Sequence, residues 1–164
     1  MCSYCGCSGV PAIGDLMDEH AALVDQAGHV RIALSTGDLA GAMTGVTSLV
    51  GRLTSHVRRE EDGVFAALRD TGEFVAEVDA LEGEHRGLET TIAGLDISSP
   101  DFATIVRQLL DDLDVHVQRE ELGIFPASVV TLGAEGWSLV DRAHARTPSF
   151  LLDPDDASPD PAPV

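Results

Sequence analysis

The sequence predicts an all-α protein: an up-down-up-down four-helix bundle followed by a short extra helix. Two observations carry this. Four long amphipathic segments are separated by breaks of only a few residues, which makes consecutive helices antiparallel neighbours. The second and fourth segments are also copies of one another. At an offset of 60, residues 44–67 and 104–127 are identical at 12 of 24 positions.

The first helix is expected from about Pro11 to Ser35, with Leu16, His20 and Leu23 on one stripe. The second is expected from about Asp38 to Leu68 and the third from about Glu73 to Ala93. Gly37 and Gly72 punctuate the intervals. The fourth should open at Ser99-Pro100-Asp101, where Ser is a good N-cap, Pro suits the first helical position and Asp complements the helix dipole. It should end near Phe125, because Pro126 disfavours helical geometry in the residue before it. A fifth, shorter helix fits Ala134 to Ala145. The division is then a Cys-rich segment at 1–10, a bundle domain at 11–147 and an acidic, proline-rich tail at 148–164, expected to be disordered.

Composition narrows the function. A chain of 164 residues suits one domain with a real core, and a hydrophobic fraction of 44% suits a globular protein. No apolar run approaches the ~18 residues of a membrane span. The N-terminus has neither a basic nor an apolar signal region, so the cytoplasm is the expected location. A formal charge of -18 repels phosphate backbones and anionic headgroups, which argues against nucleic acid and membranes as partners.

The duplicated helices carry chemistry. His56-Val-Arg-Arg-Glu60-Glu61-Asp-Gly63-Val-Phe65 returns as His116-Val-Gln-Arg-Glu120-Glu121-Leu-Gly123-Ile-Phe125. Each copy sets an imidazole and a carboxylate at i and i+4, on one helical face. Val46/Val106, Leu49/Leu109 and Leu53/Leu113 form the apolar stripe leading to it. The first and third helices share a shorter echo, Leu16-x-x-Glu19-His20-x-x-Leu23 and Leu81-x-x-Glu84-His85-x-x-Leu88. The unit is therefore a helical hairpin that occurs twice.

Residues at one height in an antiparallel hairpin are equidistant from its turn. The midpoint of His20 and His56 is Asp38. Arg58, the centre of the His56/Glu60 pair, has its midpoint with His85 between Thr71 and Gly72. His85 and His116 have theirs between Pro100 and Asp101. All three midpoints fall in turns, so His20, His56, Glu60, His85, His116 and Glu120 share one level. A lone histidine on an apolar stripe is ordinarily a hydrogen-bonded core residue. Six polar groups facing one core without a cation would be very costly.

Nitrogen and oxygen donors without thiolate suit iron or manganese, and are too many for one tetrahedral zinc. The natural division gives one metal His20 and His56 and the other His85 and His116, with Glu60 and Glu120 bridging. A shared oxo or hydroxo group and an exogenous ligand would complete each octahedron.

This constellation resembles the hemerythrin-like family, the HHE cation-binding domain, over roughly residues 11–127. The resemblance implies a non-haem centre of two iron ions that handles dioxygen, nitric oxide or peroxide, or senses iron or redox state. A redox partner is compatible with it. Oxygen-carrying members have His-x-x-x-His on the third helix, whereas the position four before His85 is Leu81 here. That departure favours redox turnover or sensing over reversible carriage.

Other features stay open on sequence. Glu61 and Glu121 read as exposed acidic residues, with terminal ligation the alternative. Gly63 and Gly123 read as room for a diatomic ligand, or as ordinary helix-end glycines. Cys2-x-x-Cys5-x-Cys7 holds every cysteine, and reads equally as an additional metal or redox element or as a frayed terminus. Similar di-iron proteins that repair damaged iron centres carry cysteines before the bundle, so thiol-dependent repair is one rival function. An iron-responsive regulatory module is another. His29 and His144 are expected at the surface.

Overall fold

The computed structural model describes residues 7–152. Among them there is no strand: the chain is an all-helical bundle. The long helices are α1 (Pro11–Ser35), α2 (Leu39–Arg59), α4 (Val75–Ala93) and α5 (Phe102–Arg119). Two short ones, α3 (Ala66–Thr71) and α6 (Phe125–Thr131), extend α2 and α5, and α7 (Ala134–Arg146) follows. Contacts link α1 to α2, α2 to α4, α4 to α5 and α5 back to α1. Among the described residues no helix is long and apolar enough to cross a membrane.

The local signals explain most boundaries. Pro11 opens α1, where its missing N–H would be unpaired anyway. Gly37 and Gly72 take the left-handed region at φ 77°, ending α1 and α3. Asp38 caps α2 by accepting a hydrogen bond from the Gly41 amide at 2.8 Å. Phe74 also sits at positive φ, 58°, and the third long helix starts only at Val75. The fourth starts at Phe102, because Ser99 spends its hydroxyl on the Asp101 amide in a preceding tight turn.

Three expectations are corrected here. Neither copy is a continuous α-helix: after each His/Glu pair the backbone widens into a π-helical turn, Glu60–Phe65 and Glu120–Ile124. Nor does Pro126 end the fourth segment, since the π turn frees the backbone and Pro126 then serves in the first turn of α6. The expected disorder from 148 also starts too early. Phe150, in a 3₁₀ turn at Phe150–Leu152, is buried against the core. The rest of the tail, 153–164, lies outside the described residues, as do Cys2 and Cys5; Cys7 opens a 3₁₀ turn, Cys7–Gly9.

The core is in two parts. One apolar cluster holds Leu23, Val30, Val46, Leu49, Leu53, Leu88, Val106 and Leu109. The other holds Ile13, Leu16, Val64, Phe65, Leu68, Val78, Leu81 and Phe125. In α1 and α4, and in α2 and α5 taken with the π turns that follow them, the chain passes from one cluster to the other across the level of a histidine. A polar layer between two apolar ones is the setting of the site.

Candidate metal centre

All six residues of the expected level come together and are buried: His20, His56, Glu60, His85, His116 and Glu120. α1 supplies His20, α4 supplies His85, the ends of α2 and α5 supply His56 and His116, and the π turns that follow open on their i+4 glutamates. The residues form two groups, His20-His56-Glu60-Glu120 and Glu60-His85-His116-Glu120, within each of which the donor atoms lie within 4.8 Å of one another.

The carboxylates belong to both groups. Glu60 Oε1 lies 3.2 Å from His56 Nε2 and 3.5 Å from His20 Nε2, while its Oε2 lies 3.4 Å from His85 Nε2. Glu120 places Oε2 3.1 Å from His20 Nε2 and Oε1 3.1 Å from His116 Nε2. Each glutamate thus turns one oxygen to each histidine pair. Every imidazole directs Nε2 inward, and the inward nitrogens of His85 and His116 approach to 2.9 Å.

Every outward Nδ1 meets another carboxylate. His56 pairs with Glu19 at 2.7 Å, His85 with Glu61 at 2.8 Å and His116 with Glu84 at 2.8 Å. His20 lies 3.4 Å from Glu121. A carboxylate only accepts, so in His56, His85 and His116 Nδ1 is the protonated donor and Nε2 keeps its lone pair for the interior when the imidazole is neutral, while His20 Nδ1 makes no hydrogen bond. Such outer partners fix ring orientation and raise ligand basicity in metal sites.

The pairing follows the duplication. Glu19 and Glu84 serve the histidine of their own hairpin, whereas Glu61 and Glu121 reach across to the other. Phe65 and Phe125 cross in the same sense, stacking on His85 at 5.9 Å and on His20 at 5.5 Å between centroids. Glu61 and Glu121 are therefore neither plainly exposed nor aimed at the interior as terminal donors. Glu19 and Glu84 went unassigned in the sequence, although the repeated Glu-His dipeptide was their signal.

Three further expectations change. His144 is half-buried, and its Nδ1 lies 3.2 Å from a guanidinium nitrogen of buried Arg59. His29 is exposed as expected. A Cβ on Gly63 would make ordinary contact with His144 and Ala143 at 3.4 to 3.6 Å, so that position faces α7 and not a ligand. Gly123 is exposed, with nothing within 4 Å of where its Cβ would be.

Electrostatics show what the layer wants. Burial pulls the imidazoles of His20, His56 and His85 toward lower pKa, but the surrounding carboxylates outweigh it and raise all three, His85 to about 10. Burial likewise opposes ionisation of Glu60, yet the facing histidines hold it well below the usual carboxylate range. Glu120 is also lowered, against its burial and the charge of Glu60, by His116 and His20. The centre favours anionic carboxylates with cations between them. Both oxygens of Glu60 and Glu120, and the Nε2 atoms of His20 and His56, are buried without a hydrogen-bond partner. Buried polar atoms left so are expensive unless something else occupies their lone pairs, so the donor set fits metal ions.

The model of the hemerythrin HHE cation binding domain matches residues 12–128, most of the chain. The chain belongs to the hemerythrin HHE cation-binding family. The matched span covers all four long helices of this HHE domain and both His/Glu groups. No curated protein and no solved structure matches. In this HHE domain Leu81 is buried in the apolar cluster below the site.

Proposed function

We propose that this HHE domain holds two iron ions in an up-down-up-down bundle spanning residues 11–147, and that the pair binds or reacts with dioxygen, nitric oxide or peroxide. His20 and His56 would hold one ion and His85 and His116 the other, with Glu60 and Glu120 bridging. The observation that carries this reading is the two-sided reach of both buried glutamates. A donor set without thiolate suits iron in preference to zinc.

Bound iron supplies one-electron redox chemistry and coordination of a small exogenous ligand. The chain's own groups do the rest. The Nδ1 hydrogen bonds hold three imidazoles in register and Phe125 stacks on the fourth, His20; the glutamates fix the spacing of the two positions, and the apolar layers on either side keep bulk water away. Cytoplasmic placement and an external electron donor belong to the same proposal.

Iron analysis should approach two per chain, and His85→Ala or Glu120→Ala should lose metal; full retention in both refutes the assignment. An anaerobic reduced sample titrated with oxygen then separates two modes. Irreversible oxidation supports redox or sensory work, while a stable, reversible charge-transfer band supports carriage.

The crowded carboxylates favour one further reading, an iron-responsive regulatory module. Six glutamates crowd around four histidines in one layer, and Glu60 and Glu120 set two like charges face to face at its centre, so the fold itself responds to what fills it. Metal-free and iron-loaded protein should then differ greatly in protease resistance; equal lability removes this reading.

A further inference from the structure

The two halves of the centre are copies in sequence but not in surroundings. The difference shows in the residues behind the histidines. Glu19, behind His56, is fully buried, whereas its counterpart Glu84, behind His116, is 33% exposed. Arg59 pairs with Glu19 at 2.9 Å and is 3% exposed; its counterpart Arg119 pairs with Glu84 and is 45% exposed. The crossed partners follow suit, with Glu121 behind His20 at 17% and Glu61 behind His85 at 36%.

The cause is α7 and the chain after it. α7 packs on α1, α2, α3 and the first π turn. His144 and the Thr147 carbonyl hold Arg59, the latter at 2.9 Å, and Ser149 stands beside Glu19. Nothing equivalent covers Arg119, Leu122 and Gly123 among the described residues: Leu122 is 67% exposed. On this open side a surface pocket of about 360 Å³ between α4 and α5 ends on His116 and is lined by Glu84, Asp112, Val115 and Gly87. Its acidic lip favours cations.

We propose that the His85/His116 position is the one that exchanges its divalent cation with solution, through the α4–α5 pocket, while the His20/His56 position is sealed and retains its ion. The inference rests on the two-metal reading above. A cation leaving the open side passes Glu84 and Asp112; one leaving the other side must first displace the Arg59–Glu19 pair and α7.

The test uses the full chain loaded anaerobically with ferrous iron and mixed with excess ferrous chelator. Loading must first reach two irons per chain, and a lower value overturns the two-metal reading itself. Release should occur in two phases of equal amplitude, with rates at least about tenfold apart, the scale on which outer partners act on metal sites. Gly87→Trp roofs the α4–α5 pocket at an exposed position with no neighbour within 4 Å of the added Cβ. It should slow the fast phase several-fold and leave the slow phase alone. Release in a single phase overturns the proposal, as does a Gly87→Trp protein whose fast phase is unchanged.

Discussion

Each histidine of the centre faces an inner glutamate near Nε2 and an outer one near Nδ1, and the outer one hydrogen-bonds His56, His85 and His116. The outer set makes a specific prediction. Glu61→Gln keeps the size and half-buried position of the side chain but weakens its hold on the His85 ring, 2.8 Å away. Iron affinity should fall about 10- to 100-fold, with the fold intact by circular dichroism. Unchanged affinity on competitive titration would reduce Glu61 to a surface acid. Glu19→Gln should do more, because it also strips charge from the partner of buried Arg59. Loss of one member of a buried ion pair costs about 3–5 kcal/mol, so its thermal midpoint should fall even in metal-free protein.

Among the elements, the π turns decide how the second glutamate and the phenylalanine of each copy are aimed. Glu60 and Glu120 end regular helix, and the wider turn beyond them carries Glu61 and Phe65, or Glu121 and Phe125, to the opposite hairpin. The packing of α1 on α2 depends on a close approach at Gly45, where a Cβ would stand 2.7 Å from a Val30 methyl. Gly45→Val should therefore destabilise by about 1–3 kcal/mol in denaturant titration, the usual cost of overpacking. It lies against Val30 of the first apolar cluster and away from the ligands, so iron stoichiometry should survive. Asp38→Ala removes the α2 cap and should cost about 1 kcal/mol by the same measurement.

For the whole molecule, the polar layer ties stability to pH. In metal-free protein the raised histidines stabilise the fold fully below their unfolded value of 6.5, and that contribution is lost as pH rises, for His85 through about 10. The lowered glutamates Glu60 and Glu120 contribute above their unfolded value of 4.5 and lose it on acidification. These are two descriptions of the same pairs. Thermal melts of metal-free protein should peak between about pH 4.5 and 6.5 and decline toward pH 10. Loaded protein should behave oppositely over the neutral range, because metal displaces those protons and binds more tightly as pH rises. Parallel pH profiles for the two forms would show that protons and metal do not compete at this site.

The helices, the duplication and the common level of His20, His56, Glu60, His85, His116 and Glu120 were all legible in the sequence. They rest on local periodicity and on distances counted from turns, which one chain contains in full. The outer partners were legible only as repeated letters: Glu19 and Glu84 beside their histidines, Glu61 and Glu121 beside the inner glutamates. Which ring each carboxylate would reach depended on helix rotation and on two π turns that no propensity marks. The inequality of the halves was invisible, since Glu19 and Glu84 occupy like places in the repeat and differ only in what lies over them. That covering comes from α7, a neighbour distant in sequence. The sequence by itself thus determined a symmetric set of ligands; only the tertiary structure decided that one half is sealed, because burial is a property of surroundings and not of the repeat.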